Sequence, residues 1–152
     1  MPIIRAPHAL PGVVLDTNAV LDWLVFRDPG MQIWAQAIEQ ARLQWLACAS
    51  MRVELQRTLA YAQLVRWHPD PAQVLATFDR WSCACSPPPS TLLPGLQCTD
   101  PDDQVFVDLG LAEGARWLVT HDRALLRMAR ATRRRGLLVL RPTAGAAVLA
   151  PL

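Results

Sequence analysis

The chain contains no lysine, and all fifteen of its basic residues are arginine. Without an ε-amino group there is no P-loop lysine, no Schiff base and no lysine general base, so Walker-type nucleotide hydrolysis and aldolase-like chemistry are excluded. Arginine remains, and its planar fork is the better bidentate ligand for phosphate. Thirteen acids nearly balance the fifteen arginines, and the formal net charge of +2 signals no strong attraction to polyanions by itself. No apolar run reaches the roughly 18 residues of a membrane span. The opening MPIIRAPHALPG lacks the apolar core of a secretory signal. A cytoplasmic location with reduced thiols, and no membrane partner, is therefore expected. The four cysteines are Cys48, Cys83, Cys85 and Cys98. Cys83-Ala-Cys85 has no second pair at zinc spacing, and His68 and His121 fit no zinc pattern, so no zinc site is expected.

What is present is enough for one domain. The chain has 152 residues, 52% of them hydrophobic, and no repeat or low-complexity tail. Its core is expected over about residues 13–140. Val13–Asp16, Leu43–Ala47, Trp117–Thr120 and Leu137–Leu140 are short apolar runs of the kind that form buried parallel strands. Helical stripes run through 18–26, 31–41, 51–67, 71–81, 102–114 and 123–132. Thr17 or Asn18 is the expected cap of the first helix, and Ser50 of the third. A short strand over 92–98 is left open. Strands alternating with helices imply an α/β fold, a parallel sheet of four to five strands with helices on both faces. In such sheets ligands bind at the carboxyl ends of the strands.

Four acids are scattered along the chain, Asp16 in VVLDTN, Glu54 in SMRVELQRTL, Asp103 in DPDDQVFVDLGLA and Asp122 in LVTHDRALL, and three of the four stand where a strand ends or a helix begins, Glu54 lying one turn inside its helix. Clustered carboxylates repel one another and stay ionised only if a cation holds them. Oxygen ligands of this kind suit Mg²⁺ or Mn²⁺, and the chemistry they support is metal-dependent phosphodiester hydrolysis. Each acid also has a plainer reading. Asp102 and Asp103 can be helix N-terminal charges, Glu54 can face water beside Arg57, and Asp22 and Asp108 read as surface acids. His121 reads as lining the rim of the site.

The same segments resemble the PIN-domain family. VVLDTNAVLDWL is similar to its opening strand and helix, SMRVELQRTL to its S-x-x-x-E-L-x-x-x-L helix, and TDPDDQVFVDLGLAEGARWLVTHDRALL to its D-x-x-F…L-V-T-x-D block. The resemblance runs from about Val13 to Leu140 and looks closest to the VapC-type toxins of bacterial toxin–antitoxin pairs. It implies a PIN-like three-layer fold and a ribonuclease that uses Mg²⁺ or Mn²⁺. It implies Asp16, Glu54, Asp103 and Asp122 as the catalytic metal ligands, with Asn18 and Thr120 as flanking polar support. It further implies RNA as substrate, a cognate antitoxin as partner and a homodimer as a candidate assembly. Ala124 stands where relatives carry a further polar group, and Gly110 where alanine is usual. A DNA-directed or non-catalytic nucleic-acid-binding module of the same fold is the alternative. A haloacid-dehalogenase-type phosphatase is disfavoured, because Asn18 stands where that chemistry needs an acid.

Two more groups bear on a substrate. Arg127, Arg130, Arg133, Arg134 and Arg135 form a basic run that is either a solvated helix end or an RNA-phosphate contact. Of the six tryptophans, Trp34, Trp45, Trp67, Trp81 and Trp117 fall in apolar stripes and suit core or dimer packing, whereas Trp23 is placed to border a substrate groove.

Overall fold

The computed structural model describes residues 9–91 and 95–150. Five strands form one all-parallel sheet: β1 (Gly12–Leu15), β2 (Gln44–Cys48), β3 (Ser82–Cys85), β4 (Trp117–Val119) and β5 (Leu138–Leu140), in the order β3-β2-β1-β4-β5. The helices between them are α1 (Thr17–Leu24), α2 (Gln32–Glu39), α3 (Ala49–Leu59), α4 (Pro71–Trp81), α5 (Gln104–Ala112), α6 (Arg123–Leu126) and α7 (Ala129–Arg133). A last helix, α8 (Gly145–Leu149), follows β5. The α/β architecture expected from the alternating pattern is thus the one observed.

Register explains how the sheet is covered. Val13 is the partner of both Trp45 and Trp117, so these three side chains point to one face. On that face Trp117 meets Trp34 of α2 at 5.8 Å between ring centroids, while Trp45 meets Trp23 of α1 at 5.3 Å and Phe78 of α4 at 4.9 Å. Val14, Leu46 and Leu118 point to the opposite face and are fully buried as well. A sheet buried on both faces needs continuous apolar strands, which is how β1 and β4 read.

Several boundaries differ from the sequence expectation. β3 was not expected. Its residues, Ser-Cys-Ala-Cys, include no β-branched or aromatic side chain, and it follows α4 without a turn. It forms nonetheless because it is an edge strand pairing Trp45–Cys48 along its whole length. The helix expected over 51–67 ends at Leu59. A 3₁₀ helix (Ala62–Trp67) takes its place, with Leu64 as its one buried residue. The helix expected over 123–132 is divided into α6 and α7 at Arg127-Met128. The cap of α1 is the Asp16 carboxylate rather than Thr17 or Asn18, and α3 starts ahead of Ser50 without a side-chain cap. Of the stretch 92–98, residues 92–94 lie outside the described residues and 95–98 form no strand. Trp67 is 43% exposed and not a core residue.

The α8 end of the chain is held by close packing on α2. The Trp34 indole donates to the Pro142 carbonyl at 2.9 Å in a buried bond. A Cβ on Gly145 would stand 2.6 Å from Ile33 Cγ2 and 2.7 Å from Trp34 Nε1. The indole is rigid and cannot swing away, so Gly145→Ala is expected to destabilise the fold by about 1–3 kcal/mol, measured by urea unfolding. An unchanged midpoint would show that α8 does not pack as described.

Candidate metal centre

The sheet order creates the site. From β1 the chain moves outward through β2 to β3, then returns to the other side of β1 for β4 and β5. The connections leaving β1 and β4 diverge and open a crevice at their carboxyl ends. Asp16 follows β1, and Thr120, His121 and Asp122 follow β4. β2 feeds α3, which carries Glu54. Because α5 precedes β4, its amino end lies at the carboxyl edge of the sheet, and Asp103 is its N-cap residue. Four acids distant in sequence are therefore delivered to one edge by topology.

They line one cleft of about 330 Å³, together with Thr17 and Asn18. Asp16 is almost fully buried, at 3% exposure. Its Oδ1 accepts the Ala19 N–H at 2.8 Å, which caps α1. Its Oδ2 accepts the Thr120 hydroxyl hydrogen. Thr120, fully buried, also accepts the Asp122 N–H at 2.9 Å. The Asp122 carboxylate in turn accepts from Ala124 and Leu125 at 2.7 and 3.2 Å, capping α6. Glu54 is hydrogen-bonded by the Thr17 hydroxyl.

The electrostatics are those of unneutralised negative charge. Burial raises the Asp16 carboxyl to about 6, against the opposing pull of the Thr120 and Ala19 hydrogen bonds and of His121. Asp103 rises to about 7, first through burial and then through the charges of Asp122, Asp100, Asp16 and Glu54. Glu54 is raised chiefly by burial, with Asp102 and Asp100 adding to the rise and Arg57 opposing it. Among the described residues no three acidic, histidine or cysteine side chains stand close enough together to hold a metal ion as they are placed. The donor chemistry still fits a hard divalent cation: the acids are all oxygen donors, and their raised affinity for protons is the repulsion such a cation would relieve. Asp16, Glu54, Asp103 and Asp122 are the acidic oxygen donors that line the cleft.

Over residues 12–124 the chain matches the family model described as PIN domain. It belongs to the PIN-domain family. Proteins of this family are in general nucleases that work with divalent metals, and the cleft lies within the matched segment. No curated protein matches the chain.

Two acids set aside as surface groups are not. Asp22 pairs with His121 at 3.0 Å, tying α1 to the β4–α6 connection. Burial raises the Asp22 pKa while His121 opposes the rise. Asp108 is buried and accepts from Thr91 N and Gln104 Nε2 at 3.1 and 3.0 Å. Gln104 also holds the Cys98 N–H and the Leu96 carbonyl, so one side chain organises the approach to Asp103. The partner of Asp22, and Thr91 as one partner of Asp108, lie on other segments, which is why neither acid declares itself in the sequence. Trp23 does not line the acidic cleft; it faces a separate open groove of about 710 Å³. Gly110 accommodates Leu137, whose Cδ2 would lie 2.9 Å from an added Cβ. Among the described residues the arginines of the basic run make no ion pair and are exposed. No helix of the described residues is long and apolar enough to cross a membrane.

A raised carboxyl pKa binds protons better in the folded than in the unfolded chain. Asp16 and Asp103 thus favour the fold fully below about 3.8, their ordinary value, and the contribution is lost as pH rises through about 6 and about 7. With chelator present, Asp103→Asn is expected to melt increasingly above the wild type, by a few degrees, as pH rises across that window. Equal melting temperatures at every pH, read by differential scanning fluorimetry, would show that Asp103 carries no such repulsion.

Proposed function

We propose that the protein is a metal-dependent endoribonuclease, the toxin of a toxin–antitoxin pair of the VapC type. The observation that carries this reading is the convergence of Asp16, Glu54, Asp103 and Asp122 on one cleft, two of them with carboxyls pushed towards neutrality. Among the described residues no paired histidines of the kind used for metal-free RNA cleavage accompany them: His121 is engaged by Asp22, and His68 lies on the other groove.

In this reading the four carboxylates hold Mg²⁺ or Mn²⁺, which when bound supplies an activated water and neutralises charge on the phosphate. Asp16 is the central ligand, oriented by Thr120 and by the amino end of α1. Glu54 and Asp103 close the cleft from α3 and α5, and Asp122 from α6. Asn18, a cleft residue beside Asp16, supplies polar support. Arg127 and Arg130, at the end of α6 and on α7, meet the phosphates of the bound strand in this reading, whereas Arg133, Arg134 and Arg135 lead into β5 and so stand towards the amino edge of the sheet, away from the cleft. A protein antitoxin, a homodimer and a cytoplasmic location belong to the same proposal.

Asp16→Asn keeps an acceptor for Ala19 N–H and removes one of the crowded charges, so folding should survive. Cleavage of a mixed RNA pool with Mn²⁺ is expected to fall to background, and wild-type products to carry 5′-phosphate and 3′-hydroxyl ends. Expression of the wild type without a partner should slow growth, and expression of the variant should not. Full activity in excess chelator, cyclic-phosphate products, or near wild-type cleavage by Asp16→Asn would each contradict the reading.

A further inference from the structure

The segment that follows α3 forms one wall of the carboxylate cleft. After Leu59 the chain turns into the 3₁₀ helix, anchored by Leu64 at 7% exposure. Around that anchor the side chains stand in water, with Tyr61 54% and Trp67 43% exposed. Tyr61 and Leu64 line the cleft beside Glu54 and Asp103. Phe26 lines it too and meets Trp67 edge-on at 4.8 Å. The Arg66 guanidinium lies over the Trp67 ring, 5.1 Å from its centroid.

Charge distinguishes this wall from the rest of the cleft. Residues 55–69 contain no acid, and Arg57 and Arg66 both fall among them. Arg57 is close enough to favour the charged form of Glu54. A cleft floored by four carboxylates repels a polyanion, so affinity for a nucleic acid strand has to come from its walls. Arginine supplies it through phosphate, and an exposed ring supplies it through base stacking, which is tolerant of sequence.

We infer that this ridge is a stacking platform for unpaired nucleic acid. Tyr61 takes the base of a nucleotide adjoining the scissile phosphate, and Arg66, held by Trp67, takes a flanking phosphate. The inference rests on the nuclease reading of the cleft. It adds which residues meet the strand: Tyr61 can stack only on an unpaired base, because a base paired in a duplex cannot offer its face to the ring.

The test uses the full chain, a fluorescein-labelled unstructured RNA of about 12 nucleotides, a length within the usual range of single-strand binding sites, and the same sequence as a blunt duplex. Binding is read by anisotropy in chelator and cleavage separately with Mn²⁺. The single strand should bind more tightly than the duplex. Tyr61→Ala and Tyr61→Leu should each weaken binding about 5- to 100-fold, raising KM and leaving kcat, while Tyr61→Phe retains wild-type affinity. Arg66→Ala should lower the salt slope by about one. Tyr61→Ala binding like the wild type, Tyr61→Leu equal to Tyr61→Phe, or a preference for duplex would overturn the platform. So would a Tyr61→Ala change in sedimentation of the RNA-free protein with RNA binding intact, which would assign the ring to a second copy of the chain. Wild-type cleavage that ignores Tyr61 sinks the platform and spares the nuclease reading. Tyr61-dependent binding with no cleavage under any divalent ion does the reverse.

Discussion

The buried hydroxyl of Thr120 joins the two strands at which the sheet changes direction. It donates to the Asp16 carboxylate beyond β1 and accepts the Asp122 N–H beyond β4. Two helix caps hang on this one atom, because Asp16 starts α1 and Asp122 starts α6. A carboxylate as deeply buried as Asp16 survives only with such partners. The arrangement makes the geometry of the cleft a consequence of strand order. α1 and α6 cannot shift relative to each other without breaking a buried charge-assisted bond. The Asp22–His121 pair adds a second tie, between α1 and the β4–α6 connection.

The cost of this arrangement is electrostatic. Hydrogen bonds to Asp16 favour its charged form, yet burial outweighs them, and Asp103 has no cap bond of its own to offset its neighbours. The metal-free protein therefore holds a site that prefers protons or a cation to bare charge. A fold that concentrates repulsion at one edge is unfavourable unless that edge binds something, which is the physical sense in which the cleft resembles the site of a metal-dependent nuclease.

Much of this was readable in the residues because the signals were local. β1 and β4 are continuous apolar runs ending in polar residues, and VVLDTN and LVTHD announce both the strand ends and the acids beyond them. Asp103 was recoverable from its place three residues before Phe106, a buried helix position. What escaped depended on distant partners. β3 is a strand only because β2 offers an open edge, and nothing in Ser-Cys-Ala-Cys declares it. Asp22 looks like a surface acid until His121 arrives from 99 positions away, the difference between 121 and 22. Tyr61 lay inside an expected continuous helix. Its exposure follows from the break at Leu59, where the chain leaves the α-helical path.

The central claim is that the four carboxylates form one cation site held in competition with protons. Calorimetric titration of the chelator-treated protein with Mn²⁺, repeated in buffers of different ionisation enthalpy, tests it most directly because it counts protons released on binding. Net proton release is expected near pH 6, where Asp16 and Asp103 are part-protonated, and it should fade towards pH 8. Binding without proton release at either pH, or no binding at all, would contradict the account.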